Sequence, residues 1–590
     1  MIRELQRTTL TDCLTFDKTI CPFKLLIFDP HGYLLISTLF RQSTLFELGY
    51  TLFLDLYSKR QSIPSVPAVY LVSPSQSSID KIASDITSNL YDSVFIIFTS
   101  SVDRSLLQSL ASSIPPPLLS RIQGIRDTHL NFLSLHSSLF SLQMTNSFAQ
   151  FGGKLSDSQV QSILSSLSTS LFHVCQTLNV VPIIRAPQGS IASEVASSLD
   201  NQIRLNFSKT ATSASVVRPL MILVDRKSDV ATPLSHSWNY HSLLNELIDS
   251  GKIELKDLTK IEYKTAQNQS KMIVLDDSDP IFDKNCAKVL PDVTEEVQKT
   301  LEDYQNQAKT QDDQVDDSEN FAKLSKVVGS LGELTRVKTS IDAHTTLGHL
   351  ILNELQIRSL DQFIDVEKEL LNLNFGPASK SLRERVRHLI MTPSTSDSKV
   401  GLLDRLRLYI IYSISQSISI EEARELESSL GDTQSTVGSF CSRHFSWIAN
   451  DQSPTSAGST SSLPSHHPLS LSLNLAGKGL KMITSAVSNL PGFDRSKPLP
   501  IVQLVNSLIS INTPIPPSIA QFDPKLPPGS HGRPRVYDSV VIVVLGGISV
   551  IEYYSLLEYC NYKKINATIG STEVLTPIGF LNQLIELSKQ

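Results

Sequence analysis

The chain has 590 residues, 52 Lys and Arg against 58 Asp and Glu for a formal net charge of -6, and it is 41% hydrophobic and 19% charged. At roughly 100 to 200 residues per domain this length calls for about three to five folding units, which excludes one small binding module, and the apolar content excludes a disordered chain. The mild acidity excludes a general nucleic-acid binder, whose phosphate affinity needs clustered Lys and Arg, and leaves a protein partner or a small substrate open.

The N-terminus, Met1-Ile-Arg-Glu-Leu-Gln-Arg7, lacks the apolar run of a secretory signal. Phe23 to Phe28 reads as a strand, and Asp29-Pro30-His31-Gly32 as the turn that ends it. Further strands are expected at Thr51 to Leu56, Ala68 to Val72 and Val94 to Phe98, with a helix opening at Ser77-Ser-Ile-Asp80 and carrying Ile82, Ile86 and Leu90 at helical spacing. Strands alternating with helices imply a parallel sheet covered on both faces, which is why Val94 to Phe98 can be apolar throughout.

The same grammar returns at Val180 to Ile184, at Pro219 to Asp225 and, far downstream, at Val540 to Leu545. The last run lies about 300 residues after its expected sheet neighbours, so a long insertion is expected to interrupt that domain. From about 250 to 500 the pattern is helical, and Leu324, Val327, Val328, Leu331 and Leu334 form one apolar stripe. The acidic Gln311 to Ser318 run before it reads as a solvated loop. Asp451 to Ser472, rich in Ser, Thr and Pro, reads as a mobile loop, and Pro514 to Pro517 and Pro527 to Ser530 mark a second irregular connection. The longest apolar run, Val540 to Ile551, is far short of the roughly 20 residues that cross a bilayer. Cys13, Cys21, Cys175, Cys286, Cys441 and Cys560 are scattered without a C-x-x-C pair, the usage of buried thiols in a reducing compartment. A soluble, cytosolic protein is expected.

Signatures of chemistry are sparse. Neither G-x-G-x-x-G nor G-x-x-x-x-G-K-[ST] occurs, Gly477-Lys478-Gly479 lacks the rest of the phosphate motif, and there is no G-x-S-x-G elbow or H-E-x-x-H helix. Gly546-Gly547 reads as a tight turn after a buried strand. Asp225 and Asp229, at the end of a strand, either serve acid-base or Mg²⁺ chemistry or cap the turn and pair with Arg226 or a neighbouring amide; turn capping is the reading adopted. His236 and His241 are five apart, a poor ligand spacing, and are expected to pack in the core beside Trp238. No constellation for catalysis survives.

The segment Arg218-Pro-Leu-Met-Ile-Leu-Val-Asp-Arg-Lys-Ser-Asp-Val-Ala-Thr-Pro-Leu-Ser-His-Ser-Trp-Asn-Tyr240 closely resembles the Sec/Munc family (SM proteins), cofactors of SNARE-driven membrane fusion. Matches follow at Pro67-Ala-Val-Tyr-Leu-Val-Ser-Pro74, Val181-Pro-Ile-Ile-Arg185, Ile341-Asp-Ala-His344 and Gly546-Gly-Ile-Ser-Val-Ile-Glu-Tyr553, spanning nearly the whole chain. Val181 to Arg185, Asp229-Val-Ala-Thr-Pro233 and Gln521-Phe-Asp-Pro-Lys525 look most like the Sly-type branch, which serves traffic between endoplasmic reticulum and Golgi.

The resemblance implies two parallel-sheet α/β domains and a large, mostly helical insertion domain that together form an arch: a first domain at 1–145, a split second domain at 146–250 and 500–590, and a third at 251–499 with a helical hairpin at about 295–338. It implies a monomer that is not an enzyme, has no cofactor or metal, binds no nucleic acid and associates peripherally with endoplasmic reticulum or Golgi membranes through SNAREs. A syntaxin-class SNARE, assembled SNARE complexes and a vesicle SNARE are the implied partners, and SNARE assembly by templating is the implied function. The vacuolar or plasma-membrane branch of the family and, from another class, a Rossmann-like nucleotide-dependent enzyme are the alternatives.

In the Sly-type branch the syntaxin N-terminal peptide docks outside the first domain, and the matching positions are Leu107, Leu110 and Ala111 on one helix and Ile122 and Ile125 on the next. Arg41 matches a basic residue of the inner cleft, although the acidic partner position falls on Leu54, with Asp55 beside it. The hairpin's template face maps to Leu324, Val327, Val328 and Leu331. The branch's longer hairpin loop, thought to cover that face, is replaced here by the short acidic run, so loop-based autoinhibition is not carried over.

Overall fold

The computed structural model describes residues 2–15, 23–206, 218–265, 267–316, 321–373, 376–392, 399–431, 435–445, 498–510, 516–527 and 537–589, with backbone only at 308–316, 321–333, 399–400 and 435–436. The Ser-rich 451–472 segment, Gly477 to Gly479, Cys21 and most of the two proline-rich connections lie outside the described residues.

Five strands, β1 (Lys24–Phe28), β2 (Tyr50–Asp55), β3 (Ala68–Val72), β4 (Val94–Phe98) and β5 (Ile122–Asp127), form an all-parallel sheet in the order β2-β1-β3-β4-β5. Successive side chains alternate between two cores: Leu26, Val69, Leu71 and Ile97 enter one, Leu25, Ile27, Tyr70 and Ile96 the other. Burial on both faces accounts for the unbroken apolar strands.

The expected turn at Asp29 to Gly32 is instead a helix start. Asp29 caps the Pro30–Leu39 helix, its Oδ1 accepting from Gly32 N at 2.7 Å and its Oδ2 from Ser73 N at 2.8 Å. Gly32 serves close approach rather than a turn, since a Cβ there would come within 2.3 Å of Leu71 O. The helix between β3 and β4, Gln76–Thr87, begins two residues before the expected start, at the Ser75 cap, and buries Ile79, Ile82, Ala83 and Ile86.

The second sheet contains β6 (Leu133–His136), β7 (Leu139–Ser141), β8 (Ile183–Pro187) and β9 (Leu220–Asp225) from the first half of the chain. After a small antiparallel sheet of β10 (Ile253–Leu255), β11 (Lys260–Lys264) and β12 (Ser270–Val274), the chain returns to it with β13 (Ile519–Phe522), β14 (Ser539–Leu545) and β16 (Asn566–Ser571), while β15 (Ile548–Ser549) pairs only with β17 (Val574–Leu575). The order is β13-β8-β9-β14-β16-β7-β6, so β14 lies parallel between β9 and β16 and closes a domain interrupted by the insertion. Strands β6 and β7 fall within 1–145 yet join this second sheet, with Ile569 opposite Leu139. Helices Asp157–Leu178 and Ile191–Leu205 cover one face, and Pro500–Ile509 and Val550–Tyr562 the other.

The two halves are also fastened ionically. Arg226, just after β9, donates to Glu552 Oε2 at 2.7 Å and Oε1 at 2.6 Å and to Gly547 O at 3.2 Å. Glu552 simultaneously accepts from Ser549 N at 3.0 Å and Ser549 Oγ at 2.9 Å in a capping box that starts the Val550–Tyr562 helix. Gly546 and Gly547 make the expected tight turn, at φ 98° and 100°, and a Cβ on Gly546 would come within 2.7 Å of Arg226 Cβ.

The insertion is largely helical. Leu290–Asp316 and Phe321–Arg358 form a hairpin longer than expected at both ends. The acidic run is not a loop as far as Asp316: after Pro291 the segment holds no Gly or Pro to stop a helix, and charge alone does not. Leu324, Val327, Val328 and Leu331 lie in the second hairpin helix, with their side chains outside the described residues. The Lys399–Ser415 helix is buried nearly all round from Leu406 to Ile414 and centres the remaining helices.

Arg226→Ala would leave Glu552 fully buried without its cation, with only the Ser549 donors remaining and burial pushing its carboxyl further up. A loss of about 3–5 kcal/mol is expected by urea denaturation. Gly348→Ala, where the new methyl meets no atom within 4 Å, is expected to stabilise by about 0.5–1 kcal/mol in the same assay.

Candidate partner-binding site

The residues matched to an N-peptide pocket lie on one helix and one strand rather than on two helices. Leu107, Leu110 and Ala111 belong to the Arg104–Ser113 helix. Pro115, Pro116 and Pro117 end that helix and start a short 3-10 turn, Pro116–Arg121, which delivers the chain into β5. Ile122 and Ile125 are therefore on a strand, where a spacing of three would ordinarily send them to opposite faces. An irregularity in the pairing sets Ile122 opposite Val94 and Ile125 opposite Ile96, two residues apart on β4, so both isoleucines share a face. Val94 and Ile96 enter the core that Leu110 enters, and Leu107, Leu118, Leu119 and Ile122 pack against it.

Leu110 is 2% exposed, Leu107 and Ile122 are half-buried, and Ala111 and Ile125 are exposed, Ile125 at 43%, so the helix and the free edge of the sheet present apolar side chains next to the core that Leu110 enters. Leu118 and Leu119 were missed from sequence, because apolar residues in a proline-rich turn show no helical or strand period.

Arg41 is exposed at the start of the Gln42–Glu47 helix. Leu54 is half-buried on β2, and Asp55 accepts from Tyr57 N at 2.7 Å. The same region exposes Phe46 at 49% and Leu52 at 39%, with the Phe46 and Phe53 rings 6.0 Å apart. Arg41 thus stands at the start of a helix that presents an aromatic side chain beside the other free edge of the first sheet.

The residues that had invited a catalytic reading are structural. Asp225 accepts from Lys227 N at 2.9 Å, and Asp229 accepts from Ala231 N at 3.2 Å, Thr232 N at 3.0 Å and Thr232 Oγ1 at 2.6 Å. His241 is half-buried with Nδ1 2.9 Å from Tyr554 OH. His236 does more than pack in the core: its Nδ1 meets Glu367 Oε1 at 2.9 Å and its Nε2 meets Asp404 Oδ1 at 3.3 Å.

Glu246 and two arginines complete that cluster. Arg358 donates to Glu246 Oε2 and Asp404 Oδ1, both at 2.6 Å, and Arg407 donates to Glu246 Oε1 at 2.9 Å. Ligand atoms of His236, Glu246 and Asp404 lie within 4.8 Å of one another, but the two guanidinium groups already occupy the carboxylates a cation would need. Burial and Arg407 disfavour the charged imidazole; Glu367, Glu246 and Asp404 outweigh both and raise His236 to about 9.

The Sec1 family model matches residues 24–583. The chain belongs to the Sec1 family. The human "Sec1 family domain-containing protein 1" is 28% identical over 648 aligned positions, covering 100% of this chain and 98% of that protein. "Protein SLY1" of Saccharomyces cerevisiae is 27% identical over 634 positions, covering 98% and 93%. Among solved Sec1-family folds, Sly1p in complex with an N-terminal peptide of Sed5p superposes with a TM-score of 0.78 at 24% identity, covering 100% of this chain and 99% of that one.

The histidine cluster gives a pH expectation. With a folded pKa near 9 against about 6.5 unfolded, His236 contributes its full stabilisation below pH 6.5 and loses it as pH rises through 9. Urea midpoints should fall between pH 6.5 and 9, and His236→Gln should flatten that fall.

Proposed function

We propose that this Sec1-family protein is a SNARE-binding chaperone of vesicle docking and fusion between endoplasmic reticulum and Golgi, which holds a syntaxin-class SNARE and guides SNARE complex assembly by differential binding. The observation that carries the assignment is kinship to Sly1 proteins over nearly the full length of the chain, and the apolar side chains around Leu110, between the Arg104–Ser113 helix and β5, are assigned as the peptide cleft. A Sly1p structure holds an N-terminal peptide of Sed5p, and the cleft here has the chemistry for such a ligand: a buried leucine floor, half-buried walls and an exposed isoleucine rim. One apolar anchor from an otherwise extended peptide fits that form.

Arg41 and the neighbouring Phe46 and Leu52 are assigned to a second, wider contact with the SNARE helices, and the hairpin face at Leu324, Val327, Val328 and Leu331 to the vesicle SNARE. No step of this function makes or breaks a covalent bond. Among the described residues no helix is long and apolar enough to cross a membrane, so peripheral attachment through the SNAREs is the proposed mode.

Titration calorimetry with N-terminal peptides of syntaxin-class SNAREs tests the assignment. A peptide from an endoplasmic reticulum or Golgi syntaxin should bind, and Leu107→Arg and Ile125→Asp should each weaken it by tenfold or more, roughly 1.4 kcal/mol. Leu110→Lys is the wrong probe, because it buries a charge in the floor and would cost the fold. Selective binding of a vacuolar or plasma-membrane syntaxin would reassign the branch, and unchanged affinity in both variants would remove the cleft from the site.

A further inference from the structure

The loop Asp276-Asp277-Ser278-Asp279, which follows β12, touches two distant parts of the chain. From the N-terminal helix, Ile2–Leu14, Arg3 donates to Asp276 Oδ2 at 2.5 Å and to Asp277, while the same guanidinium donates to Thr38 O at 2.7 Å in the first domain. On the other side, in the second hairpin helix, Arg336 donates to Ser278 O, Ser340 Oγ donates to Asp279 Oδ1 at 3.0 Å, and His344 Nε2 lies 3.0 Å from the same oxygen.

These links are shielded from water. Asp276 is 4% exposed, Asp279 8%, Ser340 2% and His344 3%, so the polar contacts act at low local dielectric, where a broken one is costly. Both ends are anchored. The N-terminal helix is held by Gln6, which donates to Phe132 O at 2.7 Å and accepts from Ser134 N at 2.9 Å, and by Tyr50 OH, which donates to Leu14 O at 2.9 Å. His344 reaches on to Tyr240 OH at 2.6 Å.

A gap of about 10 Å³, room for one water, is lined by Tyr240, Leu290, Val293, Val297, His344 and Gly348, and Ile341, Ala343 and Leu347 of the same helix are packed in the core, so the polar contacts to the loop add a directional constraint to that packing.

We propose that the Asp276–Asp279 loop is a mechanical relay that couples the N-terminal helix, and through Thr38 the first domain, to the base of the hairpin. Arg3 holds the loop in place, and the loop in turn holds residues 336–344. Coupling of this kind is reciprocal, so loosening either end loosens the other. Its consequence for a bound SNARE rests on the function proposed above, but the coupling itself requires no partner and is tested without one.

Amide hydrogen exchange of the full chain, read by mass spectrometry, provides the test. Arg3→Ala should speed exchange across 336–348 about 2- to 30-fold, with β4 unchanged. Arg3→Lys, a single ammonium that cannot reach Thr38 O and both aspartates together, should have a smaller effect of the same kind. Ser340→Ala, a small change that keeps the helix, should speed exchange in the N-terminal helix in return. Acceleration confined to the mutated element and its immediate contacts, or spread evenly over the chain including β4, would overturn the relay.

Discussion

The architecture depends on one buried ion pair and the strand pairing it seals. Arg226 and Glu552 lie 326 residues apart in sequence, with side chains 1% and 0% exposed, and they meet where β9 and β14 end side by side. Removing two charges from water is costly, and the geometry offsets that cost only because it is bidentate and because Glu552 is used twice, once by the guanidinium and once by the Ser549 cap. The pair therefore works less as glue than as a registration device, admitting one alignment of the returning chain against β9. Gly546 is part of the same constraint, since any side chain there would displace Arg226.

The segment from Arg218 to Tyr240 can now be understood residue by residue. Arg218 pairs with Asp523 at 2.8 Å, Asp225 and Asp229 cap turns, Arg226 locks the sheet, and His236 enters a cluster of opposed charges linking this segment to three helices of the insertion. The stretch that carries the family resemblance is in this protein a junction where two domains are fixed to each other, and its buried polar residues serve that junction. The partner-binding positions proposed above lie outside it.

Much of the fold was legible because its signals are local. Unbroken runs such as Val94 to Phe98 and Val540 to Leu545 announce strands buried on both faces, and the gap between the second sheet's strands announces an insertion. The failures share a different cause. Asp29-Pro30 is equally a turn and a helix cap, and only the approach of Gly32 to Leu71 O distinguishes them. Ile122 and Ile125 share a face because of an irregularity against β4, a pairing that no local period records. The charge on His236 comes from Glu367 and Asp404, which are remote in sequence. The acidic stretch before residue 317 has the composition of a loop but no helix breaker, and the absence of Gly and Pro decides its helical state.

The division of the second sheet also has a temporal side. β9 is made early, and its partner β14 leaves the ribosome only after the whole insertion has been synthesised. At roughly 5–20 residues per second, the 320 residues between Leu220 and its partner Val540 mean about 16–64 s during which the edge of β9 has no β14 to pair with. An apolar strand with an open edge is a template for wrong pairing, so the nascent chain should lean on chaperones for that interval more than a contiguous domain of the same size would.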